Sequence, residues 1–158
     1  MGKLRTITGS REPDEANFAI VAAQFNSFIV DRLIDGALET LKQHGVQDEN
    51  IEIIRVPGAF ELPLVTSKAI ATGRYDAVIA LGAVVRGGTP HFEYVSAACV
   101  DGLNRVCLDT GVPVTLGVLT VDNLEQAIER TGPKAGNKGE EAALAALDTL
   151  SVIRKLES

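Results

Sequence analysis

The stretch that decides the fold is Ala77-Val-Ile-Ala-Leu-Gly-Ala-Val-Val85, followed at once by Arg86-Gly-Gly-Thr-Pro-His91. The first nine residues carry no polar side chain, which a strand can tolerate only when both of its faces are covered. The next six contain two glycines and a proline, so the strand ends there, and a helical pattern with Phe92, Val95, Cys99, Leu103 and Val106 on one face begins. A buried strand running through a tight turn into a helix is half of a βα unit.

Working outward, the same unit recurs. Phe18 to Ala23 reads as a first strand, followed by a helix in which Ile29, Leu33, Ala37 and Leu41 recur every four residues and which closes at Lys42, His44 and Gly45. Ile51 to Val56 reads as a second strand, ended by Pro57-Gly58, with a helix from about Leu62 to Gly73 that tolerates Pro63 in its first turn. Val114 to Leu119 gives a fourth strand. Asp122 and Glu125 suit a capping box opening a short helix that stops at Gly132, and a last helix runs from about Gly139 to Leu156. Thr89 is read as the N-cap of the helix near Pro90. Four strands in βα succession predict an α/β three-layer sandwich of flavodoxin-like kind, a four-stranded parallel sheet with helices on both faces. Residues 17–158 form the single domain, and 1–16 form a polar N-terminal arm, loose or paired with a neighbour.

Composition narrows the function. The 158 residues, 46% hydrophobic, suffice for one domain that buries roughly two thirds of its unfolded surface without disulfides or metal. The balance of 15 basic and 21 acidic residues gives a net charge of -6 with no basic face, which argues against nucleic acid and anionic membrane as partners. Cys99 and Cys107 form no CxxC or Cys/His cluster and read as two buried thiols, so neither redox nor zinc chemistry is expected of them. No run is long enough to span a bilayer, and the opening residues lack a signal-type apolar segment, which reads as a cytoplasmic protein.

Ligands of such sheets bind beyond the carboxyl ends of the strands. Four of the seven aromatics, Phe25, Phe60, Phe92 and Tyr94, fall in or just after those ends. Arg86 to His91 could cradle an anion on free backbone N–H groups or could be an ordinary capped turn. His91, one of two histidines, starts a helix whose positive end favours the neutral imidazole that accepts protons, although a lone histidine is more often structural. Phe25 suits either the core or a flat heterocycle, whereas Phe60 reads first as core. Glu61 could bind polyol hydroxyls or favour the next helix. Arg130 and Lys138, flanking the Gly132 to Gly139 connector, could recognise phosphate or be solvated charge.

Taken together, Phe25-Asn26, Val56-Pro-Gly-Ala-Phe-Glu-Leu-Pro63, Ala80 through Val95, Gly117-Val-Leu-Thr120, Glu125 through Arg130 and Gly136-Asn-Lys-Gly139 resemble the 6,7-dimethyl-8-ribityllumazine synthase family, in order and spacing, from about Asn17 onward. The resemblance implies condensation of 5-amino-6-(D-ribitylamino)uracil with 3,4-dihydroxy-2-butanone 4-phosphate, without cofactor or metal. It implies Phe25 stacked on the pyrimidine, with Asn26 beside it, and Val84 and Val85 touching the ring through backbone groups. Ala59, Phe60 and Glu61 would hold the ribityl chain. Gly88, Thr89 and Arg130 would bind phosphate, His91 would handle protons, and Lys138 would lie close by. It further implies a homopentamer in which Arg130 and Lys138 come from the neighbouring subunit, assembly of pentamers into an icosahedral shell, and riboflavin synthase as a candidate partner. Leu116 stands where many members carry an aromatic; it reads either as a core strand residue or as an aliphatic wall over the neighbour's ring. Two other classes compete: an idle flavin-binding or shell-forming protein, which would not need His91, Arg130 and Lys138 together, and a flavodoxin-like electron carrier, for which Phe25-Asn26-Ser27 is a poor phosphate loop.

Overall fold

The computed structural model describes residues 2–132 and 136–158. Its sheet has strands β1 (Phe18–Ala23), β2 (Ile51–Val56), β3 (Ala77–Val85) and β4 (Val114–Val121), all parallel, in the spatial order β2-β1-β3-β4. The helices are α1 (Ser27–Gln43), α2 (Leu62–Ala71), α3 (His91–Thr110), α4 (Leu124–Glu129) and α5 (Lys138–Glu157). Strand alternation splits the core in two. Phe18, Ile20, Ile79 and Leu81 point to one face and pack with Ile29, Leu33, Leu41, Ala146 and Leu147 of α1 and α5. Ala19, Val21, Val78 and Ala80 point to the other and pack with Leu62 and Ala69 of α2 and Cys99 and Leu103 of α3. This is the three-layer, flavodoxin-like sandwich expected from the apolar pattern, and β1 and β3 at its centre are buried along almost their whole length.

Several local expectations need correction. Thr89 does not cap α3: Pro90 is the N-cap residue and its carbonyl already accepts from Glu93 N–H at 3.1 Å, which leaves the Thr89 side chain outside the helix. Asp122 does not cap α4. Its carboxylate is taken by Arg86, and Asn123 caps instead, accepting from Gln126 N–H at 2.8 Å. Strand β4 runs two residues past Leu119, so Leu116 lies within an edge strand, 38% exposed, rather than in the core or at a strand end. Cys107 is half-buried, whereas Cys99 is buried as expected. The Gly132–Gly139 connector contains a two-stranded ladder, β5 (Thr131–Gly132) against β6 (Gly136–Asn137), and residues 133–135 of it lie outside the described residues.

The N-terminal arm lies along α5 of its own chain. Ser10 N–H donates to Ser151 Oγ at 2.9 Å, Lys155 Nζ to the Thr8 carbonyl at 2.7 Å, and Arg154 to the Asp14 carbonyl at 2.7 Å. Among the described residues no helix is long and apolar enough to cross a membrane.

Candidate functional site

The strand order reverses between β1 and β3, and at such a switch point diverging loops leave a crevice beyond the carboxyl ends. Here β1 delivers Phe25 and Asn26. The ladder to β2 continues past the strands, with Gln24 N–H on the Val56 carbonyl at 2.7 Å and Phe25 N–H on the Pro57 carbonyl at 2.9 Å. Phe25 is therefore held beside the turn after β2. Asn26 is in the left-handed region (φ 62°), which asparagine tolerates better than most residues. Its Nδ2 donates to the Ala83 carbonyl of β3 at 2.9 Å, and its own carbonyl accepts from Ile29 and Val30, starting α1. One residue thus ties both sides of the switch point and sets the direction of the helix.

The loop after β2 forms a single 3-10 turn, Ala59–Glu61, with Glu61 N–H on the Gly58 carbonyl at 3.2 Å. The turn buries Ala59 and rotates Phe60 outward, so Phe60 is 62% exposed and the core reading of it is wrong. Phe25 at 72% and Tyr94 at 71% are exposed with it. Exposed aromatics gathered at one place mark a binding surface more often than isolated ones do. They line a cleft of about 610 Å³ together with Gly58, Glu61, His91 and Val95. An inner recess of about 270 Å³ shares Phe25, Ala59 and His91 with it and reaches Asn26, Val84, Val85, Gly87 and Thr89. Both volumes suit small molecules rather than macromolecules.

The loop from β3 to α3 forms the opposite wall. Arg86, which sequence reasoning treated only as part of the turn, anchors it. Its Nε donates to Asp122 Oδ1 at 2.8 Å, its Nη1 pairs with Glu93, and its guanidinium lies 4.4 Å from the centroid of the Phe92 ring. The hydrogen bonds that Arg86 donates to Asp122 and Glu93 raise the arginine pKa, and the bond from Arg86 holds the Glu93 carboxyl below its ordinary range. A side chain added at Gly87 or Gly88 would meet nothing, so the backbone of this loop faces open space from which an anion can approach. The sequence signal for Arg86 was its place immediately after a wholly apolar strand, where a charge has to find partners on neighbouring loops.

Leu116, Arg130 and Lys138 do not line this cleft within the chain. Arg130 ends α4, Lys138 starts α5, and the Lys138 N–H donates to the Arg130 carbonyl at 2.9 Å. The two cations are therefore neighbours on the backbone although eight residues apart, and among the described residues neither takes part in an ion pair. No group of three or more His, Cys, Asp or Glu among the described residues could hold a metal ion.

What the cleft offers chemically is a flat aromatic platform, a polar turn with a carboxylate, an open glycine loop and an imidazole at its rim. A family model described as 6,7-dimethyl-8-ribityllumazine synthase matches residues 15–154, which takes in the whole four-stranded sheet, the residues of the cleft, Leu116, Arg130 and Lys138. On that match, the chain belongs to the 6,7-dimethyl-8-ribityllumazine synthase family, the lumazine synthases of riboflavin biosynthesis.

Proposed function

We propose that the chain is a transferase of the cytoplasm that condenses 5-amino-6-(D-ribitylamino)uracil with 3,4-dihydroxy-2-butanone 4-phosphate to 6,7-dimethyl-8-ribityllumazine, releasing phosphate and water. The observation that carries this reading is the cleft itself, in which Phe25, the Ala59–Glu61 turn, the end of β3 and His91 surround one space of small-molecule size. The pyrimidine stacks on Phe25, with Asn26 at its side and the backbone of Val84 and Val85 at its edge. The ribityl hydroxyls reach Ala59, Phe60 and Glu61. The phosphate lies over Gly88 and Thr89.

The amine lone pair of the pyrimidine adds to the ketone carbon, and loss of water gives an imine. A proton leaves the neighbouring carbon as the carbon–oxygen bond to phosphate breaks. The ribitylamino nitrogen then closes the ring, and a second water departs. Each step moves a proton, and His91 is the group near the phosphate-bearing carbon able to carry it, typically for about 10² to 10⁴-fold. Aligning two substrates contributes more, since effective molarities of about 10⁵ M and above are reached in well-oriented reactions.

In this reading Arg130 and Lys138 act on the phosphate in the cleft of a neighbouring copy, in a homopentamer closed by a head-to-tail contact. Leu116 then forms an aliphatic wall over the neighbour's ring, pentamers assemble further into an icosahedral shell, and riboflavin synthase is a candidate partner. Support comes from the absence of these three side chains from the chain's own cleft. Mixing the purified protein with both substrates tests the activity. Lumazine absorbance should rise together with one phosphate released per product. Tight binding of lumazine with no turnover would instead support an idle ligand-binding protein.

A further inference from the structure

We propose that Asn137 is a positioning residue for the phosphate-binding cations, fixing the backbone from which Arg130 and Lys138 project by seating the β5–β6 ladder on α1. The inference rests on the phosphate role given above to Arg130 and Lys138. It adds a residue that need touch neither substrate.

The Asn137 amide uses every hydrogen-bonding position it has. Its Oδ1 accepts from Gly139 N–H at 2.7 Å and Glu140 N–H at 3.2 Å, capping α5. Its Nδ2 donates to the Arg32 carbonyl on α1 at 3.1 Å and to the Thr131 carbonyl in β5 at 3.4 Å. A cap needs only the acceptor, which Asp or Ser would supply equally well. The donor half has both its partners outside α5. Because Thr131 pairs with Asn137 and the Lys138 N–H with the Arg130 carbonyl, whatever holds Asn137 holds both cations.

The surface of α1 is cut to receive this amide. A Cβ at Gly36 would collide with the Asn137 side chain, and a Cβ at Gly139 would collide with the Leu33 carbonyl. No carboxylate among the described residues pairs with Arg130 or Lys138, so ion pairs do not set their position. The seat on α1 does.

Two variants separate positioning from capping. Asn137→Asp keeps both acceptor bonds and adds negative charge at a helix N-terminus, which is favourable for α5, but it loses both donors and faces two carbonyls. Gly36→Ala leaves the Asn137 side chain itself and every charge unchanged and favours helix in α1, while its added methyl pushes the amide off its seat. This guards against reading simple charge repulsion as misplacement. In both variants the KM for the butanone phosphate should rise roughly tenfold or more, with the pyrimidine KM within about twofold, because displacing a binding group by 1 Å can cost about 10²-fold. Hydrogen exchange should show the Lys138 amide deprotected while the α5 amides from Ala142 to Leu150 keep their protection. Equal changes in the two KM values, a Gly36→Ala enzyme that behaves as wild type, or an unchanged Lys138 amide would overturn the proposal. If the wild-type protein forms no lumazine, the reading of the reaction fails separately. Titration with inorganic phosphate then decides: weaker binding in both variants supports the positioning role, and equal affinity, or none in the wild type, overturns it.

Discussion

Asn26 is the residue on which the two sides of the cleft meet, and its replacement gives a quantitative test of that geometry. Asn26→Ala removes the Nδ2 bond to the Ala83 carbonyl, about 1 kcal/mol net. It also places alanine, which lacks the short polar side chain that lets asparagine tolerate this region, in a left-handed turn, for about another 1 kcal/mol. The sum is about 2 kcal/mol, or roughly 4–8 °C in a domain of this size. Asn26→Gly loses the same bond, but its relief of strain at φ 62° and its larger unfolded-chain entropy roughly cancel, leaving about 1 kcal/mol. The order of stability should therefore be Asn, then Gly, then Ala. Calorimetry at one fixed protein concentration measures it, since the midpoint of an assembly depends on concentration. An Ala variant as stable as the Gly variant would refute the left-handed turn, and two variants as stable as wild type would refute the contribution of the bond.

Other predictions concern chemistry. Arg130→Ala should raise the KM for the butanone phosphate far more than that for the pyrimidine, consistent with a charged contact of about 1.5–3 kcal/mol, and steady-state kinetics with each substrate varied in turn reads this. His91→Asn should lower turnover by about 10²-fold or more while calorimetry shows pyrimidine affinity nearly kept. Burial pushes the Cys99 thiol up to about 11, so at pH 8 it is almost wholly protonated. A Cys107→Ser variant should then release no chromophore from a disulfide thiol reagent until guanidinium unfolds it, and rapid reaction of the native variant would contradict the buried position.

What was legible in the sequence was whatever depends on burial along one segment. The bounds of β2 and β3 match the expected strands because Ile51–Val56 and Ala77–Val85 end at Pro57-Gly58 and Arg86-Gly87, which break strands for local reasons. Misreadings arose where a distant group decided the outcome. Asp122 looked like a cap until Arg86 from the end of β3 claimed its carboxylate. Thr89 was displaced by Pro90, whose turn starts the helix one residue later. Phe60 looked apolar enough for the core, but the 3-10 turn aims it outward, and a turn only three residues long leaves no periodic trace. Leu116 could not be told from a core residue because hydropathy does not reveal which strand lies at the edge of a sheet. Arg130 and Lys138 read equally as phosphate-binding groups or as solvated charge around a connector, with nothing in the spacing to bring them together. Only the short β5–β6 ladder makes them neighbours.

The central claim, a condensing site that one chain does not complete alone, is tested most directly by complementation. His91→Asn and Arg130→Ala chains carrying different tags are co-expressed at equal levels, and mixed assemblies are purified through both tags and assayed for lumazine formation. Random mixing gives about one site in four an intact His91 from one copy and an intact Arg130 from the next, so at a butanone phosphate concentration below the wild-type KM, where each parent is nearly inactive, activity should return to about a quarter of the wild-type rate. Mixed assemblies no more active than the average of their parents would contradict the shared site.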